Sequence, residues 1–210
     1  AKALNNQAIT YSVRDDPFNA MDYCRKALKL YEIIQYKKGM ANAYNVLAVN
    51  YNNLGDVETS LMYHTKSLKI NRELGNKSGL AKTYNNLAII YSSQKELAKA
   101  LEFYQEALTI HLQLGNKEKM STTYNNIGTI YSDRNDISTA MEYFYKSLDI
   151  AMEFNNKRIM RFAYGNIGES FMKMNEFDAA MEFFQKSLKA ASQIGDKKGI
   201  SQTNTKLGEL

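Results

Sequence analysis

The stretch YNNLAIIYSSQKELAKALEFYQEALTI, residues 84–110, decides the fold. Its opening places Tyr84, Leu87, Ala88 and Tyr91 at i, i+3, i+4 and i+7, which is one face of an α-helix. Its second part puts Leu97, Ala100, Leu101, Tyr104, Ala107 and Leu108 on one face of another helix. Between them SSQKE is polar and reads as a turn. Neither apolar face can be buried by this hairpin alone, so a neighbour must cover it.

The neighbours are copies. Tyr44, Tyr84, Tyr124 and Tyr164 recur every 40 residues, as do Leu47, Leu87, Ile127, Ile167 and Leu207, and Tyr51, Tyr91, Tyr131 and Phe171. Leu68, Leu108, Leu148 and Leu188 keep the same period. Four full repeats therefore run 37–76, 77–116, 117–156 and 157–196, preceded by a partial repeat 1–36 and followed by a partial repeat or cap 197–210. The expectation is a single array over 1–210, with helices near 1–14, 18–35, 38–53, 57–74, 78–93, 97–114, 118–133, 137–154, 158–173, 177–194 and 198–210. Small residues recur at Ala8, Ala48, Ala88, Gly128, Gly168 and Gly208, and at Ala20, Ser60, Ala100, Ala140 and Ala180, where helices can approach closely, while aromatics fill the volume between repeats. Gly75, Gly115 and Gly195, with Asn155 in the equivalent place, read as left-handed caps. The only Pro, Pro17, lies near the start, so the later helices run uninterrupted.

In these repeats Tyr84, Leu87, Ala88, Tyr91, Ala100, Tyr104 and Ala107 resemble the tetratricopeptide pattern of aromatic, Leu, Gly/Ala and Tyr, then Ala, aromatic, Ala. Two features depart from it. The period is 40 rather than about 34, and Arg72, Leu112, Met152 and Ser192 stand where the motif's closing Pro belongs, so a lengthened second helix is expected. The long form, with Leu-Gly-Asn-Lys ahead of Tyr-Asn-Asn-Leu-Ala, is similar to the repeats of kinesin light chains, of Leu-Gly-Asn spindle-orientation adaptors and of bacterial regulators. The resemblance implies an all-α, right-handed α-solenoid of helix pairs.

Composition excludes several function classes. The chain is 44% hydrophobic and 23% charged, as a soluble globular protein is, and no apolar run of about 18 residues suggests a membrane span. It opens on AKALNNQA, already helical in pattern, which suggests a piece of something longer. The formal charge of +5 is spread among interspersed acids, so nucleic acid is not an expected partner. One cysteine, Cys24, allows no intramolecular disulfide; the cytoplasm is the expected compartment, with the periplasm open for a sensor protein. No phosphate-binding glycine loop or metal-ligand motif is present, so no enzyme activity, cofactor or metal is expected. His64 and Cys24 share one slot with Tyr104, Phe144 and Phe184 and read as core. Lys37, Lys77, Lys117, Lys157 and Lys197 line one edge and are expected to complement helix C-termini rather than to bind an anion.

Asparagine carries the functional expectation. There are 21 of them, although Asn is a mediocre helix former. The resemblance implies that the first helix of each repeat lines a concave groove. Its groove positions then carry Asn5, Asn6 and Ile9; Asn45, Val46, Val49, Asn52 and Asn53; Lys82, Asn85, Asn86, Ile89 and Ser92; Thr122, Asn125, Asn126, Thr129 and Asp133; and Phe162, Gly165, Asn166, Glu169, Met172 and Lys173. An Asn amide offers both a donor and an acceptor, so a ladder of them can hold an extended peptide backbone. Phe162 and Met172 are the expected apolar anchor. The expected partner is a protein or peptide in the groove; end-to-end self-association is a further expectation. The alternative function is a sensory module of a larger bacterial signalling protein, a sensor kinase or transcription regulator.

Overall fold

The computed structural model describes residues 1–14 and 16–210. Among these it holds eleven helices and no strand: α1 Lys2–Val13, α2 Pro17–Ile33, α3 Lys37–Asn53, α4 Val57–Glu73, α5 Lys77–Ser93, α6 Leu97–Gln113, α7 Lys117–Asp133, α8 Ile137–Glu153, α9 Lys157–Lys173, α10 Phe177–Gln193 and α11 Lys197–Gly208. From α3 to α10 first and second helices have the same 17 residues. The lengthened second helix is thus matched by an equally long first one. The chain divides into two compact units, Ala1–Ile110 and His111–Leu210. Each is a stack of antiparallel helix pairs.

The three-residue connections explain much of the asparagine. The middle residue is left-handed at Gly55, Gly75, Gly115 and Gly195, and also at Asn135, Asn155 and Asn175, with φ between 50° and 83°. The next N–H closes onto a carbonyl of the helix just ended, as from Asp56 to Tyr51 and from Asn156 to Ala151. That same residue caps the following helix: Asp56, Asn76, Asn116, Asp136, Asn156 and Asp196 each accept the N–H three residues on. One residue thus ends one helix and starts the next. Six of the asparagines (76, 116, 135, 155, 156 and 175) are linker chemistry and not groove chemistry.

Packing repeats too. Tyr63 stacks between Tyr44 and Tyr51, Phe103 between Tyr84 and Tyr91, and Phe183 lies against Tyr164 and Phe171. These rings join the two helices of one repeat. The rings of the other set, Phe144 and Phe184, are fully buried, and Phe144 packs on Ala163 and Ile167 of the next repeat. Each aromatic pair adds roughly 0.5–1.5 kcal/mol beyond burial.

Candidate functional site

The groove residues must be located one unit at a time. In the first unit, Asn6 on α1 and Lys82 on α5 are exposed, and Asn52, Asn85 and Asn86 are half-buried. Asn5 is buried, and its Oδ1 has no hydrogen-bond partner. Asn45 departs from expectation. It is 1% exposed, donates from Nδ2 to Thr83 Oγ1 at 2.9 Å, and faces His64 Nδ1 across Oδ1 at 2.9 Å. Both ends of its amide are committed inside the protein, so Asn45 lies beneath the surface and not at an open groove position. The cause is His64: a polar ring in a slot filled by Tyr104, Phe144 and Phe184 in later repeats needs a polar partner.

Fixing the Asn45 amide fixes the histidine. Oδ1 can only accept, so Nδ1 carries the proton and Nε2 is left as a bare, buried lone pair without a partner. Burial, with Lys82 adding repulsion, pushes the His64 pKa down to about 4. The ring is neutral at physiological pH. Cys24 is also fully buried; its thiol donates to Ala43 O at 3.1 Å, and burial pushes its pKa up to about 12. A thiol so placed supplies no thiolate near neutral pH. Thus Cys24 and His64 each have a separate structural partner.

In the second unit Asn125, Asn126, Asn166 and Met172 are half-buried, and Phe162 is 42% exposed. Asn166 Nδ2 donates to Asn125 Oδ1 at 3.0 Å, linking α9 to α7. The rung leaves the Asn125 amide nitrogen and the Asn166 carbonyl oxygen unspent. Lys173 also reaches α7, donating to Ser132 O and Oγ. Two lysines of the edge are paired: Lys37 with Glu73 at 2.9 Å and Lys117 with Glu153 at 2.7 Å. Each of these lysines begins a first helix and meets the C-terminal end of the second helix of its own repeat.

Two clefts open on first-helix faces. In the first unit a hollow of about 130 Å³ is lined by Ile9, Val13, Asn45, Val46, Val49 and Lys82. In the second a cleft of about 400 Å³ opens between α9 and α11, with Arg161, Phe162, Gly165, Glu169, Lys206 and Glu209 in its wall. The groove positions carried by the family resemblance omit Arg161, Lys206 and Glu209. A signal for Arg161 was present: Ala41, Ala81, Ser121 and Ser201 occupy its slot in other repeats. Among the described residues no group of three or more His, Cys, Asp or Glu could hold a metal ion, and no helix is long and apolar enough to cross a membrane.

Models of the tetratricopeptide repeat match residues 39–113 and 80–153, and a second model of that repeat matches 163–194. No curated protein matches by sequence. Among solved structures the chain is similar to BtubC (BKLC) from P. vanneervenii, with 21% identity and a TM-score of 0.78 over 90% of this chain and 80% of that one. It is similar to a signal transduction ATPase with numerous domains (STAND) carrying a tetratricopeptide repeat sensor, from Pyrococcus horikoshii, with 17% identity and a TM-score of 0.85; the match covers 96% of this chain and 31% of that one. It is also similar to Pseudomonas aeruginosa pilF, with 20% identity and a TM-score of 0.70 over 99% of this chain and 90% of that one. At these identities the likeness is one of fold. It does not carry the finer likeness to kinesin light chains or spindle-orientation adaptors.

Proposed function

The chain belongs to the tetratricopeptide repeat family, and from that premise we propose that it is a non-catalytic scaffold holding extended peptide segments of partner proteins against the asparagine-bearing faces of its first helices. The observation that carries this reading is the bond between Asn166 and Asn125. It leaves one donor, on Asn125, and one acceptor, on Asn166, for a ligand, the complement of one peptide unit's C=O and N–H. Asn85 and Asn126 repeat the amide at equivalent places. Phe162, with the Arg161 guanidinium 3.7 Å over its ring, supplies the apolar anchor, and Met172 lies half-buried further along the same helix. Treating 1–210 as one array belongs to the same proposal.

Each such hydrogen bond contributes about 0.5–1.5 kcal/mol, so several must act together. Peptides selected from a displayed library supply the probe. Replacing Asn85 and Asn126 together by Ala should weaken the selected peptide roughly ten-fold with unchanged helicity by circular dichroism. If affinity holds while the melting temperature collapses, the amides are structural and the reading fails.

A second reading is a regulatory module within a larger signalling protein. The likeness to the repeat sensor of the STAND protein supports it, since 96% of this chain there matches 31% of a longer one. An effector domain in the full-length gene product, responding to occupancy of the repeats, would favour it.

A further inference from the structure

Helix α9 breaks the repeat at three slots of its first half. Position 161 is Arg where Ala41, Ala81, Ser121 and Ser201 stand; 162 is Phe where Asn42, Lys82, Thr122 and Gln202 stand; 165 is Gly where Asn45, Asn85, Asn125 and Thr205 stand. A slot that Ala or Ser fills elsewhere does not need a guanidinium to fold, and burying one is costly unless it is well compensated. Arg161 is 8% exposed. Its Nε lies 3.0 Å from Asp196 Oδ2, yet the alignment is poor and that nitrogen has no hydrogen-bond partner. Burial pulls its pKa down, and Asp196 offsets this only in part. Five N–H donors on a buried, under-satisfied guanidinium leave room for a second carboxylate.

The rest of the wall supplies the opposite charge and the space. A Cβ at Gly165 would meet only Ser187 Oγ, at 3.5 Å, so the missing side chain is what opens the cleft. Lys206 is held by Glu209 at 3.0 Å, with Glu169 adding to its electrostatic surroundings. Glu169 is exposed and, among the described residues, takes part in no ion pair. A guanidinium whose Nε lacks a hydrogen bond and an exposed carboxylate beside Lys206 therefore share a cleft of about 400 Å³, a volume within the range of small-ligand sites.

The geometry points to a short zwitterionic peptide, a free dipeptide in size, as the ligand of this cleft: carboxylate on Arg161, ammonium on Glu169, side chain against Phe162 in the space over Gly165. The span selects the size. Arg161 and Glu169 are eight residues apart on one helix, about 12 Å along its axis. Both side chains lean toward the helix N-terminus, so this axial offset sets the scale of the gap, and a hydrogen bond of about 2.8 Å at each end leaves several ångströms between the ligand's charges. Two extended residues cover that distance at about 3.3–3.6 Å each; a single amino acid does not. This site shares Phe162 with the groove reading but needs none of the asparagine rungs' free amide groups, so Glu169→Gln and Gly165→Asn test it while the Asn variants test the groove.

The test is a titration of the ¹⁵N-labelled chain with leucyl-leucine, following the amides of Gly165 and Glu169. Leucine, N-acetyl-leucyl-leucine and leucyl-leucinamide are the comparators, each lacking the span or one charge. The dipeptide should give saturable shifts centred on the cleft, and each comparator should bind at least about ten-fold more weakly. Glu169→Gln, at an exposed site, should weaken the dipeptide to a similar degree. Gly165→Asn restores the residue of the other full repeats and should abolish binding while leaving the melting temperature in place. If a blocked peptide binds as well as the free one, or Gly165→Asn leaves affinity unchanged, the inference is overturned. Absence of any saturable shift overturns it too and leaves the Arg161–Asp196 pair as a structural tie.

Discussion

Positions 45, 64, 83 and 86 in the first unit and 125, 144, 163 and 166 in the second are the same four slots, 80 residues apart. The first unit fills them with Asn, His, Thr and Asn, the second with Asn, Phe, Ala and Asn. Where the ring is Phe144, packed on Ala163, the asparagine beside it is half-buried and bonds the next helix through Asn166. Where the ring is His64, it draws Asn45 inward, Thr83 Oγ1 completes the triad, and the Asn86 amide nitrogen is left without a partner. A second buried chain runs alongside, Asn71 Nδ2 to Ser67 Oγ and Ser67 Oγ to Ala41 O. One backbone slot thus accepts a polar network or an aromatic ring. The choice decides whether the asparagine's amide is spent inside the protein or partly open.

The largest expected effect comes from forcing one solution into the other's place. His64→Phe alone should cost about 2–4 kcal/mol, from overpacking and from the lost His64–Asn45 hydrogen bond. The second unit shows what else must change: a Cβ at Gly128 would lie 2.6 Å from the Phe144 ring, and Ala48 is the equivalent of Gly128. Adding Ala48→Gly and Thr83→Ala should recover most of the loss. Side-chain amide resonances should then show Asn86 bonded to Asn45 as Asn166 is to Asn125. A triple variant no better than the single one by urea denaturation would mean the slots are not interchangeable.

Next in size is the pH response. The His64 pKa in the folded state is depressed to about 4 from an unfolded value near 6.5. The unfolded chain therefore binds the proton more readily. Stability is complete above about pH 6.5 and falls as pH drops towards 4, by about 2 kcal/mol at pH 5. Melting curves between pH 7.5 and 5 should show this slope, and the triple variant should flatten it. An unchanged slope in that variant would assign the effect to other groups.

Smaller still is the rung itself. Asn166→Ala should cost about 0.5–1.5 kcal/mol, whereas Asn86→Ala, whose amide nitrogen has no partner, should cost nothing or stabilise slightly. Equal losses in the two variants would remove the contrast between the units. The smallest effect lies in the linkers. Gln35 adopts φ 51° where Gly75, Gly115 and Gly195 stand in later repeats. Gln35→Gly should stabilise by up to about 1 kcal/mol, since a left-handed non-glycine residue is strained, and thermal melting would register it.

What the sequence determined by itself was whatever depends on residues a few places apart. The face defined by Tyr84, Leu87, Ala88 and Tyr91 specified its helix, the 40-residue period specified the pairing of helices, and Gly75, Gly115, Asn155 and Gly195 marked the helix ends. These are local backbone preferences and periodicities, readable along one strand of text. The tertiary structure decided the rest. Asn45 and Asn125 occupy one register position, yet only contact with residue 64 or 144, a further 19 along, sends the first inward and leaves the second half-buried. Likewise Arg161 is one odd letter in a slot of Ala and Ser until Asp196 pairs with it and Gly165 and Glu169 line the cleft beside it. A polar side chain's availability depends on which partners reach it first, and those partners come from other helices.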